Sequence, residues 1–261
     1  MRIALRRRFG VVVLSAAVVA LSSSPARASD IILPGFDLFD PMSGSDVFFP
    51  LPIGDLVPFV GVPLGSFDFG SGPVATGSTD TIIERLATAT DASPTIAIQL
   101  LAMQMVSVIP IDAGLGLDFH YFTLQAVPSL GTMTFTGLTG AHGPGVHGTV
   151  TYNALTVNWQ LEKGALGGPV AMMGTTVLST GAVPWSHFPA PGAVLIPGVN
   201  FLLDGSTSGS DFFPIGTFTF TATDGTNILT RSAGVPEPSI VVLIALSAVG
   251  VASRSRRRRV R

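Results

Sequence analysis

The sequence has no cysteine, and it has only two tryptophans and two tyrosines in 261 residues. The absence of cysteine excludes disulfides, thiolate metal ligands and thiol catalysis. Thirty glycines and twenty prolines interrupt the chain too often for long helices. A fold of this composition must be held together by packing and hydrogen bonds, with or without a bound cation.

Basic residues are nearly missing from the middle of the chain. Residues 29–235 contain three of them, Arg85, Lys163 and Arg231, against fifteen acidic residues, a formal balance of −12. Residues 1–28 carry five arginines and residues 236–261 carry six, so the whole chain sums to −2. Because a phosphate backbone is bound by clustered Lys and Arg, this distribution excludes nucleic-acid binding by the middle.

The first 28 residues have the pattern of a secretory signal peptide. Four arginines between residues 2 and 8 precede an apolar run over 11–21. Small residues follow at Ala26 and Ala28, just before Ser29. We expect signal peptidase to cleave between Ala28 and Ser29. A permanent anchor is the alternative, but spanning a bilayer takes about 20 apolar residues and this run is shorter.

The C-terminal end carries a second targeting pattern. Pro236, Glu237 and Pro238 come first, and an apolar stretch over 240–252 follows. The chain then ends in a basic tail with Arg254, Arg256, Arg257, Arg258, Arg259 and Arg261. An apolar segment pinned by arginines is typical of a stop-transfer helix. The triplet stays extended outside such a helix, because proline cannot continue one.

These three parts, in this order, resemble the PEP-CTERM sorting signal of exported bacterial proteins, a tail also labelled an ice-binding-protein C-terminal domain. The resemblance implies recognition by exosortase, a membrane protease that releases or transfers the mature chain. It covers only residues 236–261 and implies a route; ice binding does not follow from the label. A simple C-terminal anchor is the alternative.

The mature region, residues 29–235, is typical of an antiparallel β protein. Polar and apolar residues alternate over 132–136 and 217–223, with Thr and aromatics between Gly and Pro. The parity flips once within 95–108 and once within 150–161, as expected of a bulged strand or one buried on both faces. We predict a jelly-roll-like β-sandwich with long Pro/Gly-rich loops, and a loop-rich first part over 29–78. The signal helix and the C-terminal hydrophobic helix would flank it.

A short sequence echo links two distant segments. Gly44–Pro50 reads GSDVFFP and Gly209–Pro214 reads GSDFFP. Two copies do not make a repeat array. They are interpreted as matching edge strands that the fold brings together, with coincidence as the alternative.

Aspartates in flexible loops form the candidate calcium site. Asp204 and Asp211 enclose a loop rich in Gly and Ser, and Asp37, Asp40 and Asp46 surround Gly44. Calcium takes six to eight oxygen ligands from such loops, although the spacing fits no EF-hand. Plain acidic turns are the alternative.

Histidines and tryptophans give two further candidates. His142 and His147 flank a Gly-Pro-Gly loop and could chelate a metal, with a solvated hairpin loop as the alternative. Trp185 lies in a proline-rich segment and is a candidate platform for stacking on sugars, with packing into the core as the alternative. Trp159 continues an apolar alternation and is predicted to be buried.

The threonine rows suit either an ordinary exposed strand face or an ice-binding face.

No catalytic residue is assigned. Glu84 and Glu162 each stand beside a base, Arg85 or Lys163, which is typical of surface pairing. The sequence contains no nucleophile elbow and no phosphate-binding loop.

We therefore expect an exported cell-surface or extracellular-matrix protein of structural or adhesive type. It would be anchored transiently in the inner membrane and processed there by the sorting protease. Extracellular polysaccharide is a candidate partner. A carbohydrate-binding module using loop aromatics and a secreted enzyme of unknown class are the two alternatives.

Overall fold

The computed structural model describes residues 31–41, 44–49, 53–139, 145–201 and 211–233. The predicted signal peptide with its cleavage site at Ala26, Ala28 and Ser29, and the whole predicted sorting signal, lie outside the described residues. The described part contains strands and no helix. The strands are β1 (Gly35–Pro41), β2 (Ser45–Phe48), β3 (Leu56–Gly61), β4 (Gly65–Asp68), β5 (Pro73–Gly77), β6 (Thr81–Arg85), β7 (Thr95–Met103), β8 (Met105–Ser107), β9 (Ile111–Asp112), β10 (Leu117–Asp118), β11 (His120–Leu124), β12 (Ser129–Phe135), β13 (Gly148–Asn153), β14 (Leu155–Lys163), β15 (Val170–Thr180), β16 (Val183–Ser186), β17 (Phe213–Pro214), β18 (Gly216–Ala222) and β19 (Ile228–Ala233).

Eight strands close into an antiparallel barrel. The order is β19, β18, β15, β14, β11, β8, β3 and β2, and β2 returns to β19 through the pair of Asp46 with Ile228. A second run of strands, β1, β6, β7, β12, β13, β16 and β17, covers part of the barrel. Strand β1 joins the two, because its first residues pair with β6 and its last two pair with β19.

The predicted all-β antiparallel class is confirmed. The pairing does not give a clear two-sheet sandwich, because β1 connects the two sheets and β2 closes the ring. The predicted loop-rich part over 29–78 contains five strands, β1 to β5. Pro41 and Pro73 fall at strand ends, where proline is tolerated, and Pro58 lies just outside the residues of β3 that pair with β8.

The two parity flips have different causes. The first, between Leu100 and Leu101, coincides with a register shift in β7, where Ile83 pairs with Leu100 and Ile82 pairs with Ala102. The predicted bulge in this strand is confirmed. The second falls at Ala154, whose φ of 47° turns the chain from β13 of the covering sheet into β14 of the barrel.

The described parts of the two Gly-Ser-Asp segments are not paired with each other. Strand β2 lies in the barrel and β17 lies at the far end of the covering sheet, so the two occupy opposite ends of the strand order. The prediction that the fold pairs them is wrong.

Aromatic residues fill the space between the layers. Phe39, Tyr152, Phe218 and Phe220 contact one another with ring centroids 5.3–6.3 Å apart. Trp159 is buried as predicted, and its indole lies over Gly174, its partner on β15. This contact needs glycine, because a Cβ at residue 174 would overlap the indole ring.

Gly174→Ala tests the packing of Trp159. We expect a loss of about 1–3 kcal/mol in the free energy of unfolding, because an added methyl group overpacks this site. Gly181→Ala is the matched control, since a Cβ there meets nothing within 4 Å, and we expect a change within about 0.5 kcal/mol. Urea denaturation of the two variants measures the difference, and equal effects would contradict the account.

Candidate functional site

The described residues do not assemble the predicted calcium site. Asp37 and Asp40 lie on β1, and Asp46 lies on β2. Asp204 lies outside the described residues. Among the described side chains, no three of His, Cys, Asp or Glu gather in a group that could hold a metal ion. Asp37, Asp40, Asp46 and Asp211 therefore do not form such a site between them.

Asp37 forms a buried ion pair with Arg85. Its Oδ1 lies 3.1 Å from Nε of Arg85, and both side chains are almost fully buried. Arg85 also donates to the carbonyl oxygen of Leu33 at 2.7 Å, and its guanidinium lies over the Phe212 ring at 5.2 Å. Burial raises the pKa of Asp37 to about 6, although the charge and hydrogen bond of Arg85 oppose the shift. The expected surface pair of Glu84 with Arg85 is thus wrong, because Arg85 points inward.

A small open cleft lies beside β1. Asp37 and Asp40 are its acidic lining residues, and most of the remaining lining is apolar, including Phe36, Leu38, Ala190, Val194, Phe212 and Phe213. Asp40 accepts a hydrogen bond from the Ser78 hydroxyl at 2.8 Å, and burial raises its pKa. These carboxyl groups retain protons at higher pH than exposed aspartates do.

Arg231 is the centre of a second buried polar group. Its Nε donates to the Thr81 hydroxyl at 2.9 Å and lies 3.5 Å from Oδ1 of Asp80. Its Nη1 donates to the Ser45 hydroxyl at 3.1 Å and to the carbonyl oxygen of Thr230 at 2.8 Å. Burial raises the pKa of Asp80, and the charge of Arg231 partly offsets that rise. These contacts link β2, β6 and β19, so this group serves the fold.

Trp185 is not a sugar platform. It lies on β16, is fully buried, and donates from Nε1 to the carbonyl oxygen of Thr136 at 3.0 Å. The segment forms a strand that pairs with β13, with Val183 opposite Val150. Side chains two residues apart on a strand point to the same side, so Trp185 is buried with Val183. The alternative interpretation, packing into the core, is the one that the structure supports.

Two histidines pack against Trp185. The ring of His147 stacks on the indole with centroids 5.5 Å apart, and the ring of His187 lies 4.4 Å from that of His147. Nδ1 of His187 is 2.6 Å from the carbonyl oxygen of Asp211. His142, the predicted partner of His147, lies outside the described residues. Sequence reasoning missed the neighbour that the fold supplies, His187, because forty residues separate it from His147.

Hydroxyl groups are arrayed on the outer side of three strands of the second sheet. Thr134 of β12 lies opposite Thr95 of β7 and Thr151 of β13. Thr132 lies opposite Asn153. We call the outward Thr and Asn side chains of these three strands and of the residue after β12 the threonine face: Thr95, Thr132, Thr134, Thr136, Thr149, Thr151 and Asn153. Ala97, Gln99 and Leu130 point outward at its edge. The predicted second threonine row, over 217–223, belongs to β18 of the barrel and does not lie beside the first row.

In the described part of the chain, the surface charge is almost entirely negative. Of the three bases between residues 29 and 235, Arg85 and Arg231 are buried, and only Lys163 is partly exposed. Nine described carboxylates are half-exposed or exposed: Asp46, Asp55, Asp68, Glu84, Asp91, Asp112, Asp118, Asp211 and Asp224. Several of them stabilise turns as predicted; Asp112 accepts from the backbone N–H of Gly114 and Gly116, which lowers its pKa. Glu162, expected at the surface, is instead buried, and it accepts hydrogen bonds from Thr123 and Gln160.

Comparisons of the chain with protein-family models, with curated proteins and with solved structures give no match. In the part of the chain that the structure describes, there is no helix long and apolar enough to cross a membrane.

The pKa of Asp37 predicts a pH-dependent stability. Because its folded-state value of about 6 lies above the ordinary 3.8, the folded protein binds this proton more tightly than the unfolded chain does. The stabilisation is fully present below pH 3.8 and is lost as the pH rises through 6. Wild type should therefore lose stability relative to Asp37→Asn between pH 4 and 7, by up to about 3 kcal/mol. Urea unfolding across that range measures the gap, and parallel profiles would contradict the prediction.

Truncation of Trp185 should affect the fold. We expect Trp185→Ala to lower the free energy of unfolding by about 3–5 kcal/mol, because it empties a buried aromatic site. Leu117→Ala is the control, since that side chain is 73% exposed, and we expect a change within about 0.5 kcal/mol. Thermal and urea unfolding test both variants. Wild-type stability for Trp185→Ala would show that the indole is not part of the core.

Proposed function

We propose that this chain is an exported bacterial cell-surface or extracellular-matrix protein with a structural or adhesive role. Residues 1–28 direct export and are removed by signal peptidase. Residues 236–261 hold the chain in the inner membrane until an exosortase-like protease cuts near Pro236–Pro238. The mature domain is then released or transferred to the cell surface. The resemblance of the C-terminal end to the PEP-CTERM signal supports this route.

The positions of the chain ends support display from one side. Strand β1 runs antiparallel to β19, with Asp40 opposite Ser232 and Pro41 opposite Arg231. The chain therefore enters β1 and leaves β19 at the same end of the fold. A domain tethered by its C-terminal segment would leave its sheet faces and its far end accessible.

The observation that carries the adhesive role is the threonine face. It is a half-exposed to exposed surface of uncharged hydroxyl and amide groups across three strands. The anionic remainder of the surface keeps the protein hydrated and repels acidic polymers unless cations bridge them. Both properties suit a protein that works among extracellular polymers, and neither suits nucleic acid.

The two layers also support a finer description of the fold. β12 packs on β14 and β13 packs on β15, so one wall of the barrel and the covering sheet face each other. We propose that these two layers form a jelly-roll-like sandwich within the larger closed arrangement.

The two alternatives differ in their support. Burial of Trp185 removes the loop aromatic on which a carbohydrate module of the usual type would depend. The cleft with Asp37 and Asp40 is the observation that favours an enzyme, but the Asp37 carboxylate is engaged by Arg85.

The processing route predicts the ends of the mature protein. Mass spectrometry of the exported protein should give an N-terminus at Ser29 and a C-terminus near residues 236–238. In cells without the sorting protease, the chain should remain in the membrane fraction and extend to Arg261. Recovery of Arg261 on protein exported by normal cells would contradict processing.

A further inference from the structure

The threonine face is ordered before any ligand arrives. The hydroxyls of Thr95 and Thr134 lie 2.9 Å apart, and those of Thr136 and Thr149 are also 2.9 Å apart. Asn153 donates from Nδ2 to the hydroxyl of Thr134 at 3.3 Å. Each bond joins neighbouring strands, so these side chains have already lost much of their rotamer freedom. A ligand that binds here avoids much of that entropy cost.

The spacing of the face is that of a regular sheet. Neighbouring strands lie about 4.8 Å apart, and outward side chains repeat about every 6.8 Å along a strand. Three adjacent strands, β7, β12 and β13, therefore offer hydroxyl and amide groups in a flat grid. Each threonine adds a methyl group beside its hydroxyl. An extended polymer with both hydroxyl groups and C–H surfaces matches this mixture.

The face is also free of ionisable side chains, because its seven members are six threonines and one asparagine. Glu84 lies opposite Gln99, outside the face. A charged ligand would find no counter-ion here, and an acidic one would meet the carboxylates around it. The fit is therefore to a neutral ligand.

We propose that the threonine face binds a neutral polysaccharide lying flat across β7, β12 and β13. This inference rests on the proposed adhesive function and names its partner. A protein partner fits less well, because protein interfaces centre on large apolar and aromatic side chains, and the face consists of Thr and Asn with one exposed leucine, Leu130, at its edge. A polysaccharide supplies the matching hydroxyl groups at every residue along its length.

The test is retention of the exported protein on insoluble neutral glucans: cellulose, curdlan and amylose. The face variant is the triple substitution Thr132→Val, Thr134→Val and Thr151→Val, which keeps side-chain shape and removes three hydroxyls. The matched control is Thr217→Val, Thr219→Val and Thr221→Val on β18. Thr134→Glu is a second variant, which places a hydrated charge at the centre of the face. Circular dichroism and urea unfolding confirm that each variant is folded.

We expect wild type and the β18 control to be retained on at least one of the glucans. The face variant should bind at least about tenfold more weakly, because it loses three hydrogen-bonding groups, and Thr134→Glu should also lose binding. Equal binding by the face variant and wild type would overturn the assignment, as would retention on none of the glucans. A dimer in solution that the face variant abolishes would assign the face to a second copy and would also overturn it.

The proposed function is judged separately. Cell fractionation and the mass of the mature C-terminus report on export, processing and location without reference to the face. If those results hold and no glucan binds, the polysaccharide inference fails while the surface role stands. If the protein is not exported, the surface role fails whatever it binds.

Discussion

Arg231 holds together the parts of the fold that are farthest apart in sequence. It lies on the last strand, and its guanidinium bonds to Ser45 on β2 and Thr81 on β6 while lying close to Asp80. A chain without cysteine cannot fasten these strands covalently. A buried charge with hydrogen bonds on several sides does so instead, and leaving it without those partners would cost several kcal/mol, roughly 3–5 for a broken buried pair. Closure of the barrel at β2 and β19 lies beside this group, since Asp46 pairs with Ile228.

The burial of the two arginines also determines the charge of the surface. Arg85 and Arg231 are withdrawn into the interior as partners of Asp37 and Asp80. Among the described residues, the exposed charged side chains are carboxylates and a single partly exposed lysine. Against this anionic background, the threonine face differs because it has no charge and because the hydroxyls of Thr95, Thr134, Thr136 and Thr149 are already hydrogen-bonded. The placement of very few basic side chains thus affects both the stability of the fold and the charge of the surface on which the proposed recognition depends.

Local patterns predicted the strands well, because alternation reflects which side of a strand is buried. The threonine-rich alternations form β12 and β18. The parity flip after Leu100 is a bulge in β7, whereas the flip at Ala154 is a change of sheet, because alternation alone does not tell a bulge from a crossing between layers.

Partners distant in sequence could not be predicted. Arg85 stands beside Glu84 but pairs with Asp37, and His147 meets His187 because β13 and β16 are neighbours. The Trp185 segment has the composition of a loop, yet its pairing with β13 buries the indole. The threonine face has the same cause: its rows are unremarkable one at a time and form a surface only when β7, β12 and β13 are placed side by side.

The measurement that tests this account most directly is methyl NMR of the threonines on titration with soluble cello-, laminari- and malto-oligosaccharides. The account predicts that at least one of these neutral sugars shifts the methyl signals of Thr95, Thr132, Thr134, Thr136, Thr149 and Thr151, and leaves those of Thr217, Thr219 and Thr221 in place. Shifts confined to β18, or no shift with any of the sugars, would contradict it.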